Sequence, residues 1–306
     1  MTQKTIVSPL TKGATDHIRS ISVKALTDAY RSAHQIDITA YLPAISEIEV
    51  YRCRDTGLEF FDPGGLAGPP SFYETLYAGD DGDWAYQDEK WEFKVGARLI
   101  DGAASVLDVG CGGGAFLEQL DASKISRFGL ETSALGREAA GGKGIEVYNQ
   151  TIIEHAKDNN GRYDMVTAFQ VLEHVDDPAA FLQACIAALK PDGTLLISVP
   201  NNDAFLQHCE LLPLNLPPHH VTLWRRSTLE ALVGIYPVDL VWLETEPLQP
   251  ANISWYQATM EARYLPSGRF ARWVYYRFGV ALRRYLEENC ATINGHTILA
   301  MYRKTS

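Results

Sequence analysis

The chain has 306 residues, 46% of them hydrophobic, with 38 acidic against 27 basic side chains and a formal net charge of -11. That length suits about two domains or one large one, and the acidic balance argues against a general nucleic-acid partner, since a polyanion is repelled away from local basic patches. The longest apolar runs fall well short of the roughly 18 residues of a membrane span, the start MTQKTIVSPLTKG lacks a signal-peptide core, and five scattered cysteines suit reduced thiols, so a cytoplasmic protein without a membrane span is expected.

Residues 1–95 read as aromatic-rich and irregular, with a Gly/Pro cluster at FDPGGLAGPP (61–70) and a hairpin around Asp55-Thr56-Gly57 in YRCRDTGLEFFDP (51–63). The lone Cys53 cannot build a four-cysteine zinc site, and no metal is expected there. From 96 to 246 short β-branched or apolar runs alternate with helical stretches, the pattern of βαβ units on a parallel sheet. Strands are expected at 104–110, 127–132, 145–150, 163–170, 193–200 and 239–244. Between the fourth and fifth, Asp177 and Pro178 start a helix whose apolar face is Phe181, Leu182, Cys185, Ile186 and Leu189. Pro191 and Gly193 should turn the chain at its end, and Ser227 with Glu230 should form a capping box for a later helix. Residues 247–290 read as a helical insertion, and 297–304 as a last strand pairing antiparallel at the sheet edge. The expected fold is therefore α/β and Rossmann-like. Its mostly parallel seven-stranded sheet spans 96–246 and 291–306, preceded by a separate segment 1–95.

In an open parallel sheet the ligand sits outside the carboxyl ends of the strands. The first such turn is VLDVGCGGGAFLEQL (106–120), which fits both a dinucleotide pattern and D-x-G-x-G-x-G. Asp108 separates the two. A carboxylate two residues before Gly110 disfavours a pyrophosphate and favours a cationic ligand. Glu131, at the end of the second strand, is placed to accept hydrogen bonds from ribose hydroxyls in either case.

With these residues in view, the stretch from about 100 to 245 resembles the class I S-adenosylmethionine-dependent methyltransferases. VLDVGCGGGAFL is similar to their first motif, FGLETS carries their ribose-binding acid, and YDMVTAFQVLEHVDDP and LKPDGTLLISVPN are similar to the fourth and fifth strands. The resemblance implies S-adenosylmethionine lined by Asp108, Gly110, Cys111, Gly112, Glu131, Thr132, Phe169, Gln170 and Val171, with Ile152 towards the adenine. It implies that residues 1–95 cap the cofactor, with Tyr73 and Trp84 as its aromatic neighbours. The sub-family indicated is bacterial O-methyltransferases of small molecules or glycans.

If the acceptor is a hydroxyl, a base is needed, and histidine is the usual choice. Glu173 and His174 follow the fourth strand, and His219 and His220 follow the fifth. His220, beside Pro217-Pro218, is expected on a rigid, outward-aimed loop. Q-x-x-E-H followed by a later histidine is similar to the E-x-x-E-H…H magnesium site of small-RNA 2′-O-methyltransferases. Here Gln170 replaces the first acid, which weakens a site for a hard cation. GRFARWVYYRFGVALRRYLEE (268–288) is a basic island. Phe270, Val274, Phe278, Ala281, Leu282 and Tyr285 share one helical face there, suited to packing, and opposite it Arg269, Arg272, Arg283 and Arg284 suit solvent, a phosphate-bearing small-molecule acceptor or an anionic membrane surface. The alternatives are an NAD-dependent reductase and a non-catalytic, methyltransferase-like binding domain.

Overall fold

A computed structural model describes residues 5–77, 89–100, 102–209, 211–264 and 268–305, with the backbone alone at 269–272 and 274–276. The chain opens with β1 (Thr15–Ser22), α1 (Val23–His34), β2 (Glu47–Cys53), β3 (Glu59–Asp62), α2 (Pro70–Tyr77) and α3 (Trp91–Leu99). The alternating middle follows as β4 (Ser105–Val109), α4 (Ala115–Glu118), β5 (Ser126–Leu130), α5 (Ala134–Gly142), β6 (Glu146–Tyr148) and α6 (Ile152–His155). It continues through β7 (Tyr163–Phe169), α7 (Pro178–Ala188) and β8 (Leu189–Pro200). Then come β9 (Thr222–Leu223), α8 (Arg226–Ala231), β10 (Val238–Pro247), α9 (Ile253–Tyr264), α10 (Arg269–Asn289) and β11 (Asn294–Lys304).

Seven strands form the main sheet in the order β10-β11-β8-β7-β4-β5-β6. The five from β8 to β6 are parallel, and β11 runs antiparallel to both its neighbours. The last strand is therefore not at the edge, as its late arrival suggested, but between β8 and β10. Its own composition explains this: Ile298, Leu299, Ala300 and Tyr302 are all 0% exposed. Such a run needs cover on both faces and a partner on both sides. β10, whose exposed residues are spaced between partly buried ones, takes the edge instead. The chain winds outward from β4 through β5 to β6, then returns on the other side as β7. The ends of β4 and β7 thus form the topological switch point, where the crevice of such a sheet lies.

Two local expectations need correction. The break at Pro191–Gly193 is an irregularity inside β8: Leu189 already pairs with Tyr163, regular pairing resumes at Thr194, and Asp192 between them has φ 61°. α8 has no capping box. Its N-cap is Arg225, and the Arg226 N–H is taken by the Asp203 carboxylate at 3.0 Å, which removes the need for Ser227. A capping box does form at α6, between Thr151 and Glu154. Asp177 caps α7 as expected, accepting from the Ala180 N–H at 3.0 Å.

The segment expected to be irregular has its own antiparallel sheet, in the order β1-β2-β3-β9. The hairpin around residues 55–57 is present, closed by the Cys53 N–H on the Leu58 carbonyl at 2.8 Å. The fourth strand is contributed from beyond β8. Ile21, Leu26, Tyr30, Ile48, Val50, Phe61 and Phe72 pack there with Leu216, Val221 and Leu223. Burying each such side chain contributes about 1.5–3 kcal/mol. This core ties the loop 213–223 to the N-terminal elements.

α9 and α10 make the insertion. The face expected to be inward on α10 is outward: Phe278, Leu282 and Tyr285 are exposed, whereas Leu286 is buried with Phe205, Leu248 and Ile253. No helix of the described residues is long and apolar enough to cross a membrane.

Candidate active site

The glycine loop is held from below. Gly110 and Cys111 N–H groups both donate to the Leu130 carbonyl, at 2.8 and 3.0 Å. Gly110 has φ 69°, and a Cβ there would lie 2.7 Å from Val171 Cγ2. That close approach brings the loop against the end of β7, which only glycine permits. Glu131 Oε2 accepts the Gly112 N–H at 2.9 Å, and Oε1 accepts the Ser133 N–H at 2.6 Å. Each oxygen keeps a further lone pair for a ligand.

Asp108 lies beneath this loop, 3% exposed, and accepts the Thr167 hydroxyl at 2.6 Å. Burial pushes its carboxyl up to about 7, opposed by the Thr167 bond and helped by the charge of Glu131. A cation bound above would draw it back to the ionised form. Cys111 is buried and its thiol is pushed up by burial, so it lines the loop as an inert side chain. Thr132 is exposed, its carbonyl taken by Arg137 at 2.6 Å. Phe169 packs on Phe116 and Phe93, with ring centroids 4.6 and 5.2 Å apart. Ile152 is 2% exposed in the main core, so only its backbone can meet a ligand at that edge. Trp84 falls outside the described residues.

The second group is built from two loops. The turn after β7 carries Glu173 and His174, and the loop before β9 carries His219 and His220. The Val221 N–H joins them by donating to the Glu173 carbonyl at 2.8 Å. Ring centroids of His174 lie 4.7 Å from His219 and 4.8 Å from His220. His174 Nδ1 is 2.6 Å from the His219 carbonyl, and His220 Nδ1 is 3.1 Å from Asn215 Oδ1. Asn215 is itself held by donating to Asn202 Oδ1 at 2.8 Å. His220 is 8% exposed, so it is turned inward rather than outward. The reason is the Asn202–Asn215 pair, which fixes the ring from one side while His174 covers the other. Tyr73 belongs to this group: its hydroxyl is 3.2 Å from His174 Nδ1 and 3.4 Å from the His219 carbonyl. Burial lowers His174 to about 4 and holds His219 and His220 well below the usual imidazole range, so all three are neutral at pH 7. Burial raises Glu173 to about 8.

A third group joins Gln170 to residues that the sequence reading did not single out. Gln170, at the end of β7, has φ 56°, and its amide lies 3.4 Å from both Ser198 Oγ and Glu92 Oε1. Glu92 and Glu246 are 4% and 3% exposed; burial raises the proton affinity of both, and the charge of Glu92 raises that of Glu246 further. Glu246 Oε2 sits 3.3 Å from His296 Nδ1. The Lys90 ammonium favours ionisation of Asp108, Glu92 and Glu173 alike. No short motif marks Glu92, Glu246 or His296, because α3, β10 and β11 bring them together from distant parts of the chain.

The arrangement defines a class: an α/β domain with a nucleoside-type glycine loop at its switch point and buried carboxyls around it. Residues 84–234, about half of the chain, match the family model described as a methyltransferase domain. The chain is 33% identical over 156 residues to a ubiquinone biosynthesis O-methyltransferase of Sodalis glossinidius, covering 49% of this chain and 61% of that one. Against the protein of the same name from Serratia proteamaculans it is 36% identical, covering 49% and 64%. It thus spans less than two thirds of the length of these relatives. Among solved structures, a chain of the complex between the Haloferax volcanii Trm112 methyltransferase activator and a methyltransferase shares the fold. The TM-score is 0.53 at 18% identity, covering 76% of this chain and 98% of that one.

Proposed function

We propose that this protein transfers a methyl group from S-adenosylmethionine to a hydroxyl oxygen of a small-molecule acceptor. The observation that carries the reading is the convergence, at one sheet edge, of the Glu131-braced glycine loop and the Glu173–His174–His220 group. The cofactor supplies a methyl group already activated on a sulfonium. The protein's tasks are then to bind, orient and exclude water. Glu131 accepts the ribose hydroxyls, and Gly110, Gly112, Cys111 and Val171 give the loop its shape. Thr132 and the backbone at Ile152 lie at the ends of β5 and β6, and Phe169 packs on Phe93 and Phe116 next to Gln170 in the chain. Asp108 and Glu92 set a negative field for the ligand's positive groups. The Nδ1–H of His174 and of His220 is committed to an oxygen acceptor, which leaves Nε2 as the proton-accepting nitrogen. His220 takes the acceptor's proton, with His174 and Glu173 beside it.

An NAD-dependent reductase fits less well. A pyrophosphate needs a helix N-terminus, and α4 has only 4 residues above a buried carboxyl. The named function of the relatives supports O-methylation. Among the described side chains of α10, Arg283 and Arg284 pair with Glu287 and Glu288, each at 2.9 Å, and so lend a phosphate-bearing acceptor no support.

Single-turnover transfer of labelled methyl to a panel of phenols, catechols and sugars tests the reading. His220→Ala should lower the rate by about 10²–10⁴-fold, while affinity for S-adenosylhomocysteine stays within about threefold. A rate loss of only two- or threefold would reduce His220 to a loop-ordering residue.

A further inference from the structure

A neutral histidine carries its proton on either ring nitrogen, and the bare one decides what the ring can accept. At His220, which burial keeps neutral, the choice is made through two asparagines. Its Nδ1 faces Asn215 Oδ1 at 3.1 Å, and the Asn215 amide nitrogen donates to Asn202 Oδ1 at 2.8 Å. The Asn202 amide nitrogen donates in turn to the Pro200 and Trp224 carbonyls, at 3.2 and 3.1 Å. Asn202, Asn215 and His220 are 3%, 6% and 8% exposed, so water does not replace these partners.

The series of bonds runs in one direction only. A backbone carbonyl accepts and never donates. Two of them fix the Asn202 amide nitrogen, because turning that amide over would set its oxygen against both. Asn202 Oδ1 is therefore the end presented to Asn215, and only a donor can meet it. That orients Asn215 and leaves its own oxygen facing the ring. An amide oxygen takes a proton from the ring, so Nδ1 carries the hydrogen. Nε2 is then bare, 4.0 Å from Glu173 Oε1. Asn202 is itself anchored: its carbonyl accepts Arg225 Nη1 at 2.9 Å, and Arg225 Nη2 reaches Glu59 Oε1 on β3 at 3.0 Å. His174 and His219 have no such intermediary. Their Nδ1 atoms lie directly on backbone carbonyls, those of His219 at 2.6 Å and of Leu214 at 3.0 Å.

We propose that Asn202 and Asn215 are positioning residues that set the tautomer of His220, passing the polarity of two backbone carbonyls to its ring. Asn202 acts through Asn215, and Asn215 through the ring. The tautomer stands apart from the methyl-transfer reading. Its use rests on that reading, because a bare Nε2 is what lets His220 take the acceptor's proton.

The test reads the rings directly. The full chain is labelled with nitrogen-15 histidine, and long-range proton–nitrogen correlation spectra are recorded near neutral pH. Single alanine variants of His174, His219 and His220 assign the signals. His220 should show a protonated Nδ1 and a bare Nε2. In Asn202→Leu and in Asn215→Leu its two nitrogen shifts should move towards the average of the two tautomers, while those of His174 and His219 hold. Asn215→Asp, which keeps an acceptor beside the ring, should keep the proton on Nδ1. A proton on Nε2 and a bare Nδ1 in the unaltered protein would overturn the proposal, as would unmoved His220 shifts in both leucine variants. Where a leucine variant does not fold, the spectra of the unaltered chain and of Asn215→Asp decide. Methyl transfer is read separately. Turnover of Asn202→Leu should fall roughly tenfold or more while S-adenosylhomocysteine affinity stays within about twofold, since a ring in the wrong tautomer is a poor base. The expected tautomer without any methyl transfer would sink the methyl-transfer reading alone, and methyl transfer with a bare Nδ1 would sink the relay alone.

Discussion

Glu131 braces the glycine loop through the Gly112 and Ser133 N–H groups, and in the proposed function the same carboxylate faces the ligand. Its removal therefore loses the ribose contacts and loosens the Gly112 and Ser133 N–H groups together. At about 1.5–3 kcal/mol per hydrogen bond to a charged group, Glu131→Ala should weaken S-adenosylhomocysteine binding at least tenfold by calorimetry. Glu246 supports a second prediction at this scale. Burial, then the like charge of Glu92, raise it from an ordinary 4.5 to about 8, against the bonds from Thr297. Between those values the folded chain holds a proton that the unfolded chain has released. The stability it contributes is complete below 4.5 and is lost as pH rises towards 8. His296, pushed down by burial from 6.5 to about 4, acts oppositely, costing stability as pH falls below 6.5. The melting temperature of the ligand-free protein should thus fall between about pH 6.5 and about pH 8.5, and Glu246→Gln should flatten part of that fall. The spacing of Gly110 and Glu131 was legible because a βα turn and the next strand end fix it locally. Glu246 and Asn215 were not legible, since their meaning arises only when distant elements meet.

The helix α1 reaches across to the loop that carries the histidines. Tyr30, 0% exposed, donates to the Pro213 carbonyl at 2.6 Å and lies 3.1 Å from the Leu216 carbonyl. Tyr30→Phe removes one hydrogen bond that ties α1 to this loop, while backbone N–H groups of Leu216, His219 and His220 stay on those carbonyls, at a cost of about 0.5–1.5 kcal/mol. The melting temperature should drop and turnover should fall, while nucleoside affinity, which depends on β4 and β5, stays within about twofold. Equal losses in both would show that the loop also shapes the cofactor site. Strands and helices of the main sheet were readable from their periodicity, down to the Asp177 cap. The four-stranded N-terminal sheet was not, because β9 has only 2 residues and arrives more than 150 residues after β3. The inward turn of His220 escaped for the same reason, since Asn215 and Asn202 pull it in rather than the neighbouring prolines. The position of β11 was recoverable in principle, because a strand with both faces apolar belongs inside a sheet.

At the scale of the whole molecule, a chain of net charge -11 brings Asp108, Glu92 and Glu173 within electrostatic reach of Lys90, with Glu131 acting on Asp108 and Glu92 acting on Glu246. Burial raises the proton affinity of Asp108, Glu92, Glu173 and Glu246, and a positively charged ligand, which favours their ionised forms, suits them better than a polyphosphate. Fold, loop and charge support the proposed nucleoside with a cationic tail. The most direct measurement is calorimetric titration of the purified chain with S-adenosylmethionine, S-adenosylhomocysteine and NAD under identical conditions. The account predicts one site for the first two, no detectable heat with NAD, and at least a tenfold loss for both nucleosides in Glu131→Ala. Saturable NAD binding without either of the others would contradict it.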